Sequence, residues 1–159
     1  MTFTVYRLSK LRYRNQIFSG LGGLHADGRW TYRGQPVVYT SQSIALAVLE
    51  YTVNYRRRGW VPASVLGRAV ISDDVAVDTV RIQDLPRGWA DPDSPSALRE
   101  IGQAWLQGGA TAVLKVPSAI VTEEWNYLLN PEHPDFKKLT FGKPVRYAFD
   151  RRLARARKS

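Results

Sequence analysis

DGRWTYRGQPVVYTSQSIALAVLEYTVNY, residues 27–55, is the stretch that decides the fold. The dipeptides at 27–28 and 33–34 are turn signals, and the apolar, β-branched run at 36–40 predicts a short strand. Ser41 then stands where a helix N-cap belongs, ahead of a long apolar run. The stretch therefore predicts a turn, a strand and a helix in close succession.

The helix is predicted to run to about Arg57, and it is apolar nearly all round, which indicates burial on every side. Glu50 lies inside it, where an unpaired carboxylate is costly to bury. We expect Glu50 to bind a proton or to pair with a cation from Arg7, Arg29 or Arg33. A structural Glu–Arg ion pair, or a glutamate whose helix face reaches solvent, is the alternative to a functional carboxylate.

The remainder of the chain predicts strands and one further helix. Strands are predicted at residues 2–8, 111–116, 125–130 and 145–149, and two β-branched runs within 64–80 flank a turn or hairpin at 72–74. Residues 96–107 predict an amphipathic helix, while prolines predict loops at 82–96 and 130–136. Because the helices do not alternate with single strands, we predict a single α+β domain with a mixed or antiparallel sheet.

The strand at 125–130 alternates clearly. Trp125, Tyr127 and Leu129 fall on one face, and Asn126 falls on the other with Leu128 and Asn130. The alternation predicts that these two sets of side chains lie on opposite faces of the strand.

Composition limits the function classes. The chain has 159 residues, 44% of them hydrophobic, which is enough for one domain with its own core. It has no cysteine, which excludes thiol catalysis and disulfides and is typical of the reducing cytoplasm, where we place it. No segment has the roughly 18 consecutive apolar residues that a membrane span needs, so we expect no membrane partner.

The net charge of +9 is concentrated at one end. Residues 151–159, RRLARARKS, hold five basic residues and no acid, and the remainder has 18 basic against 14 acidic residues, or +4. A solvated tail and a cationic helix end at 56–58 account for this distribution. An acidic protein partner, or the phosphates of a small ligand, is the other interpretation.

Several familiar site chemistries are absent. His25 and His133 are the only histidines, both in turn-rich segments, and neither has metal-ligand spacing, so we expect no metal. Ser118 lacks the Gly-x-Ser-x-Gly context of an acyl-transfer serine, and there is no P-loop. What remains is arginines, a buried glutamate, aromatics and a serine after a strand. This set suits a phosphorylated ligand that develops positive charge, such as a ribose losing nicotinamide.

Four separated motifs resemble the RES domain toxins, which are partnered with Xre-type antitoxins in bacterial toxin–antitoxin modules. They are GRW with G-x-P-V-V-Y-T-S (28–41), A-L-A-x-L-E ending at Glu50, V-P-S-A (116–119) and E-x-N-Y-L-L-N-P-x-H-P-D-F (124–136). The resemblance spans roughly residues 3–153. It implies a RES domain over 1–153, a basic tail at 154–159 and a fold like that of ADP-ribosyltransferase toxins.

The resemblance also implies site residues. The family's Arg, Glu and Ser fall on Arg29, Glu50 and Ser118, and its pocket tyrosine falls on Tyr39. These four are the expected catalytic residues. The expected substrate-binding residues are Arg7, Arg29, Tyr39 and Asn126. For Asn126, and also for His133, the alternative role is to brace the loop at 130–136. The usual Gly-Gly-Arg-Trp-Asn reads DGRWT here, and we expect this to alter affinity or nucleotide preference.

The implied activity is cleavage of NAD⁺ at the nicotinamide–ribose bond by water or phosphate, which would deplete NAD⁺ and arrest growth. An Xre-family antitoxin would cover the active site, and nucleic acid would be contacted only through that antitoxin. Two alternatives stay open: ADP-ribosyl transfer to a protein target, and a non-enzymatic basic module that binds nucleic acid directly.

Overall fold

The computed structural model describes residues 1–55, 61–93 and 96–153. The helices in these ranges are α1 (Ile44–Tyr55) and α2 (Ser96–Gly108). The strands are β1 (Phe3–Lys10), β2 (Val38–Ser41), β3 (Ser64–Ile71), β4 (Val77–Thr79), β5 (Val113–Pro117), β6 (Trp125–Leu129), β7 (Thr140–Phe141) and β8 (Val145–Tyr147). Short 3₁₀ turns lie at Leu11–Gln16, Leu21–Leu24, Ile82–Asp84 and Pro134–Lys138. The predicted helix end near Arg57 and the basic tail at 154–159 fall outside the described residues.

The strands form one mixed sheet in the order β4-β5-β6-β2-β1-β3-β7, and β8 also pairs with β3. β4 and β5 are parallel, and the other pairs are antiparallel. The predicted α+β class with a mixed sheet is confirmed. The alternative of a hairpin at 72–74 is wrong: Val75 N donates to Ser72 O in a tight turn, but β3 already has β1 on one edge and β7 and β8 on the other. β4 therefore pairs with β5 instead.

The core lies on both faces of this sheet. One cluster includes Val5, Val38, Tyr127 and Leu129. A second cluster lies under α2 and is built by residues of α2, β5, β6, the 30–37 segment and the loop before α2: Trp30, Val37, Trp89, Leu98, Trp105, Leu114, Val116 and Leu128. A third joins α1 to β1 and β3. Because neighbouring residues of a strand point to opposite faces, the side chain of Asn126 faces α1 and not the cluster that contains Tyr127.

The start and the burial of α1 differ from the prediction. Ser43, not Ser41, caps the helix, because Ser43 Oγ accepts a hydrogen bond from Leu46 N at 3.1 Å while Ser41 belongs to β2. Leu49 and Val53 are 38% and 50% exposed, so the expectation of burial on every side is wrong. The helix packs on β1 and β3 through one face only, which leaves its other face at the surface. No helix in the described ranges is both long and apolar enough to cross a membrane.

The proline-rich segment after β6 contains regular structure that the prolines did not predict. Pro134 begins a 3₁₀ turn, for which His133 provides the cap: its Nδ1 accepts from Asp135 N at 3.0 Å. The other ring nitrogen, Nε2, lies 3.0 Å from Gly109 O and donates to it, since Nδ1 is the acceptor. His133 thus braces this loop against the end of α2.

Candidate active site

A cleft of about 510 Å³ lies between α1, the middle strands of the sheet and the segment 27–30. Its volume falls within the roughly 300–1,000 Å³ typical of small-ligand sites. It is lined by five of the six predicted site residues: Arg7, Arg29, Tyr39, Glu50 and Asn126. The sixth, Ser118, is 0% exposed and contacts Glu50 from inside the protein. The structure therefore brings all six around one cleft.

The carboxylate of Glu50 is held by neutral donors. Its Oε1 accepts from Ser118 Oγ at 2.8 Å and from Asn126 Nδ2 at 2.6 Å. Within the described ranges, Glu50 forms no ion pair, so the predicted guanidinium partner is wrong. A cation is not required because Glu50 is only half-buried and two hydrogen bonds already compensate one of its oxygens. Among the described residues, no donor contacts Oε2.

The hydroxyl of Ser118 is oriented by the backbone that follows it. Its oxygen accepts from Ile120 N and from Val121 N, each at 3.1 Å. With its lone pairs occupied, its single proton has one remaining partner, the carboxylate of Glu50. The turn after β5 therefore fixes Ser118 as a donor that positions Glu50.

Asn126 is oriented by the neighbouring strand. Ser41 on β2 is its direct antiparallel partner, and Ser41 Oγ donates to Asn126 Oδ1 at 2.8 Å. Because the side-chain oxygen is thus engaged, the amide nitrogen points to Glu50. Both residues are buried, at 4% and 9% exposure. Asn126, expected to bind substrate, contacts the carboxylate as a positioning residue.

Arg7 connects two backbone segments at the back of the cleft. Its Nε donates to Ile17 O at 2.8 Å, and a terminal nitrogen donates to Tyr39 O at 3.0 Å. Burial lowers the pKa of Arg7, and the Tyr51 and Tyr55 hydroxyls oppose that change. Arg7 therefore brings a positive charge to the cleft while tying β2 to the loop after β1.

Tyr39 explains both the glycine of the GRW motif and the Thr31 departure. Its hydroxyl lies 2.6 Å from Thr31 Oγ1 and accepts from Trp30 N at 3.3 Å. A Cβ added at Gly28 would come within 2.7 Å of Tyr39 Cζ and 2.9 Å of Thr31 Oγ1, so only glycine fits there. Burial raises the pKa of Tyr39, although these hydrogen bonds oppose the rise. The hydroxyl is therefore protonated at neutral pH.

Arg29 and Asp27, the other members of this motif, both contact backbone. A terminal nitrogen of Arg29 donates to Trp89 O at 3.2 Å and to Asp91 O at 3.0 Å, which ties the 82–93 loop to the cleft. Asp27 Oδ1 accepts from Arg33 N at 2.7 Å and closes the turn that follows. The acid beside Arg29 is thus engaged in a turn rather than in an ion pair with that arginine.

Arg99 also lines the cleft, and the sequence did not single it out. It lies on α2 and its Nε donates to Gly28 O at 2.8 Å. Gly102, one turn later, packs directly on the backbone of Trp30. The sequence signal that could have indicated this close approach of α2 to Trp30 is Gly102 itself, an isolated glycine inside an amphipathic helix.

The sequence profile of the RES domain family matches residues 4–150. The chain belongs to the RES domain family. This RES domain is 35% identical over 158 residues to a protein named "Toxin Res" from Photorhabdus laumondii, a match that covers 97% of the chain and 99% of that relative. A "Toxin Res" from Yersinia enterocolitica is 33% identical over 150 residues, 94% of this chain and 98% of that one.

A third relative is the "Prs ADP-ribosylating toxin" of a Sphingobium species, 33% identical over 159 residues and covering 98% of this chain and 99% of that one. The fold is similar to that of one chain in the crystal structure of the M. tuberculosis MbcT–MbcA toxin–antitoxin complex. That match has a TM-score of 0.75 at 17% identity and covers 92% of this chain and 85% of the other. The roles expected of Arg29, Glu50 and Ser118 stay predictions.

Proposed function

We propose that this RES domain is the toxin of a bacterial toxin–antitoxin module and that it cleaves NAD⁺ at the nicotinamide–ribose bond, passing ADP-ribose to water or phosphate. The observation that carries the proposal is the carboxylate of Glu50, which two neutral donors fix at the edge of a cleft lined with arginines. The names of the relatives support the same activity class.

Glu50 presents two unlike oxygens to a ligand. Oε1 is occupied by Ser118 and Asn126, whereas Oε2 has no donor among the described residues. We assign Oε2 to the ribose 2′-hydroxyl, which would donate to it. The negative charge then faces the ribose as its oxocarbenium character develops.

The reaction is a substitution at the ribose C1′. The C1′–N bond breaks, its electron pair leaves with nicotinamide, and the pyridinium nitrogen becomes neutral. The acceptor oxygen forms the new bond at C1′; water then releases a proton to solvent, whereas phosphate attacks through an oxygen that is already deprotonated. No group needs to protonate the leaving nicotinamide, which fits a cleft whose charged carboxylate serves to stabilise a cation.

The arginines and the tyrosine supply the binding contacts. The guanidinium group of Arg29 would grip the diphosphate in a fork geometry, with the positive charge of Arg7 nearby. The ring of Tyr39 would stack on nicotinamide or its ribose, since its hydroxyl is already engaged by Thr31 and Trp30.

Transfer of ADP-ribose to a protein is the second candidate. It is favoured by the name of the Sphingobium relative, which matches nearly the whole chain. The same cleft serves this reaction, because only the acceptor differs after nicotinamide has left.

An antitoxin is the proposed partner, because a similar fold occurs in a toxin–antitoxin complex. We assign this partner to the Xre family and place its contact over the mouth of the cleft. There the exposed apolar side chains of Val53 and Ile120 lie at the rim. The proposed site of action is the cytoplasm.

NMR of the products formed from NAD⁺, with and without phosphate, tests the proposal. Free nicotinamide with ADP-ribose, or with ADP-ribose 1″-phosphate when phosphate is present, is the expected result. Radiolabelled NAD⁺ in the presence of cell extract separates the second candidate, which would leave label on a protein band. If neither nicotinamide nor labelled protein forms, the proposed activity is wrong.

A further inference from the structure

α2 places a third guanidinium group in the cleft. Arg99 is half-buried, and its Nε donates to Gly28 O at 2.8 Å. Neither of its terminal nitrogens has a hydrogen bond or an ion pair with any described residue. Arg7 and Arg29, by contrast, each use a terminal nitrogen on backbone carbonyls. Among the cleft arginines, Arg99 therefore presents the most complete fork to a ligand.

The position of Arg99 is fixed from two directions. The hydrogen bond to Gly28 O holds the inner part of its guanidinium group. The backbone of α2 at Gly102 lies against the carbonyl group of Trp30, so the helix cannot move closer or rotate freely there. Positions 99 and 102 are one turn apart and share a helix face. The terminal nitrogens are therefore preorganised, which lowers the entropy cost of ligand binding.

Arg99 and Arg29 both line the cleft and meet at the same short segment. Arg99 contacts the carbonyl of residue 28, and Arg29 is the next residue along the chain. Burial raises the pKa of Tyr39, and among the influences that oppose the rise are the positive charges of both Arg99 and Arg29. Both side chains line the same cleft, so the two cations face the same ligand space. Neither forms an ion pair with a described carboxylate.

Two cations in one cleft without a carboxylate partner fit an anion that carries two charges on adjacent groups. We propose that Arg99 binds the diphosphate of a dinucleotide together with Arg29, and that it makes the cleft selective for dinucleotides over nucleosides. This inference rests on the proposed function. It assigns α2 a direct role in substrate recognition.

The test compares two substrates that share the scissile bond. NAD⁺ carries the diphosphate, whereas nicotinamide riboside has the same nicotinamide–ribose bond and no phosphate. R99Q should lower kcat/KM for NAD⁺ by about ten- to hundred-fold, the loss expected for charge-assisted hydrogen bonds, and should leave kcat/KM for nicotinamide riboside unchanged. R99K, which keeps the charge and loses the fork, should fall between R99Q and the native protein with NAD⁺.

R146Q is the matched control, because Arg146 is exposed on β8, lies outside the cleft and loses the same charge. It should retain native kinetics. Equal losses for both substrates in R99Q, or no loss with NAD⁺, would overturn the inference. If R99Q does not fold, R99K with the same two substrates decides.

Calorimetric binding of ADP-ribose separates this inference from the proposed function. If the native protein releases no nicotinamide from NAD⁺, the function is wrong. Weaker binding of ADP-ribose by R99Q than by R146Q still supports the diphosphate site in that case. Equal binding of ADP-ribose by the two variants rejects it.

Discussion

Replacing Gly102 with alanine should damage both the fold and the cleft. Gly102 is buried in α2, where its backbone packs on the carbonyl group of Trp30. A Cβ at this position would lie 2.8 Å from the Trp30 carbonyl carbon and closer still to its oxygen. Both obstacles are backbone atoms, so no side-chain rotation relieves the overlap. α2 and the segment 28–31 would have to separate.

The magnitude follows from the size of that displacement. Restoring ordinary contact distances requires a separation of more than about 1 Å, and overpacking of this kind costs about 1–3 kcal/mol. Alanine regains roughly 1 kcal/mol of helix propensity. We expect a net loss near 2 kcal/mol, since a rigid backbone contact falls at the costly end. Because Arg29 and Arg99 would move with the two segments, we also expect activity to fall by up to about 10²-fold.

Gly108 provides the matched control within the same helix. No atom of a described residue lies within 4 Å of a Cβ added there, and its backbone is helical. G108A should therefore be neutral or stabilised by up to about 1 kcal/mol. Urea unfolding, followed by tryptophan fluorescence, measures both variants, since Trp30 and Trp105 pack in the core under α2. Equal unfolding midpoints for G102A and G108A would show that α2 does not rest on the backbone of Trp30.

Three further predictions concern the carboxylate and its surroundings. E50Q keeps the shape of the side chain and removes its charge, so it should fold normally by circular dichroism yet lose at least about 10²-fold in nicotinamide release; full activity would remove Glu50 from the mechanism. S41A frees the Asn126 oxygen and should lower kcat by about two- to ten-fold, whereas S41T should restore most of it; a native kcat in S41A would separate Ser41 from the site. Burial raises the pKa of Tyr51 from 10.0 to about 12, against the hydrogen bond with Ser64. The stability that the neutral Tyr51 side chain contributes is therefore complete below pH 10 and is lost as the pH rises toward 12. The urea concentration at the unfolding midpoint should fall over that pH range, and it should fall less in Y51F.

The sequence predicts most of the strands because their signals are local. The alternation of β6 predicts that Tyr127 and Asn126 lie on opposite faces, and the structure has Tyr127 in the first cluster and Asn126 against Glu50. The local pattern predicts Ser41 as the N-cap of α1, whereas Ser43 caps the helix in the structure, and both serines precede the apolar run. What distinguishes the two serines is a contact distant in sequence, because Ser41 is hydrogen-bonded to Asn126, 85 residues away. The local sequence pattern does not reveal that pairing.

The same limit applies to the site. Arg29, Tyr39 and Glu50 lie within one segment, and the family resemblance assigns all three to one site. Arg99 was not singled out because a lone arginine on a helix is ordinary. Its role depends on the close approach of α2 to residue 30, which is a tertiary contact. Helix α1 was expected to be buried all round because composition does not reveal how many faces of a helix find partners.

The error over the partner of Glu50 bears on how the site works. A guanidinium group paired with the carboxylate would neutralise it and would compete with a developing ribose cation for the same charge. Ser118 and Asn126 instead fix one oxygen without adding a positive charge, and the buried hydroxyl of Ser41 fixes Asn126 in turn. The negative charge therefore remains available at Oε2, and the cleft arginines are left to bind phosphate oxygens. This separation of charges requires that neutral hydrogen-bond donors position the carboxylate. A variant that brings a cation to the carboxylate, such as N126K, should fold with Glu50 in an ion pair and should lose nicotinamide release. Native-like turnover in N126K would refute the argument.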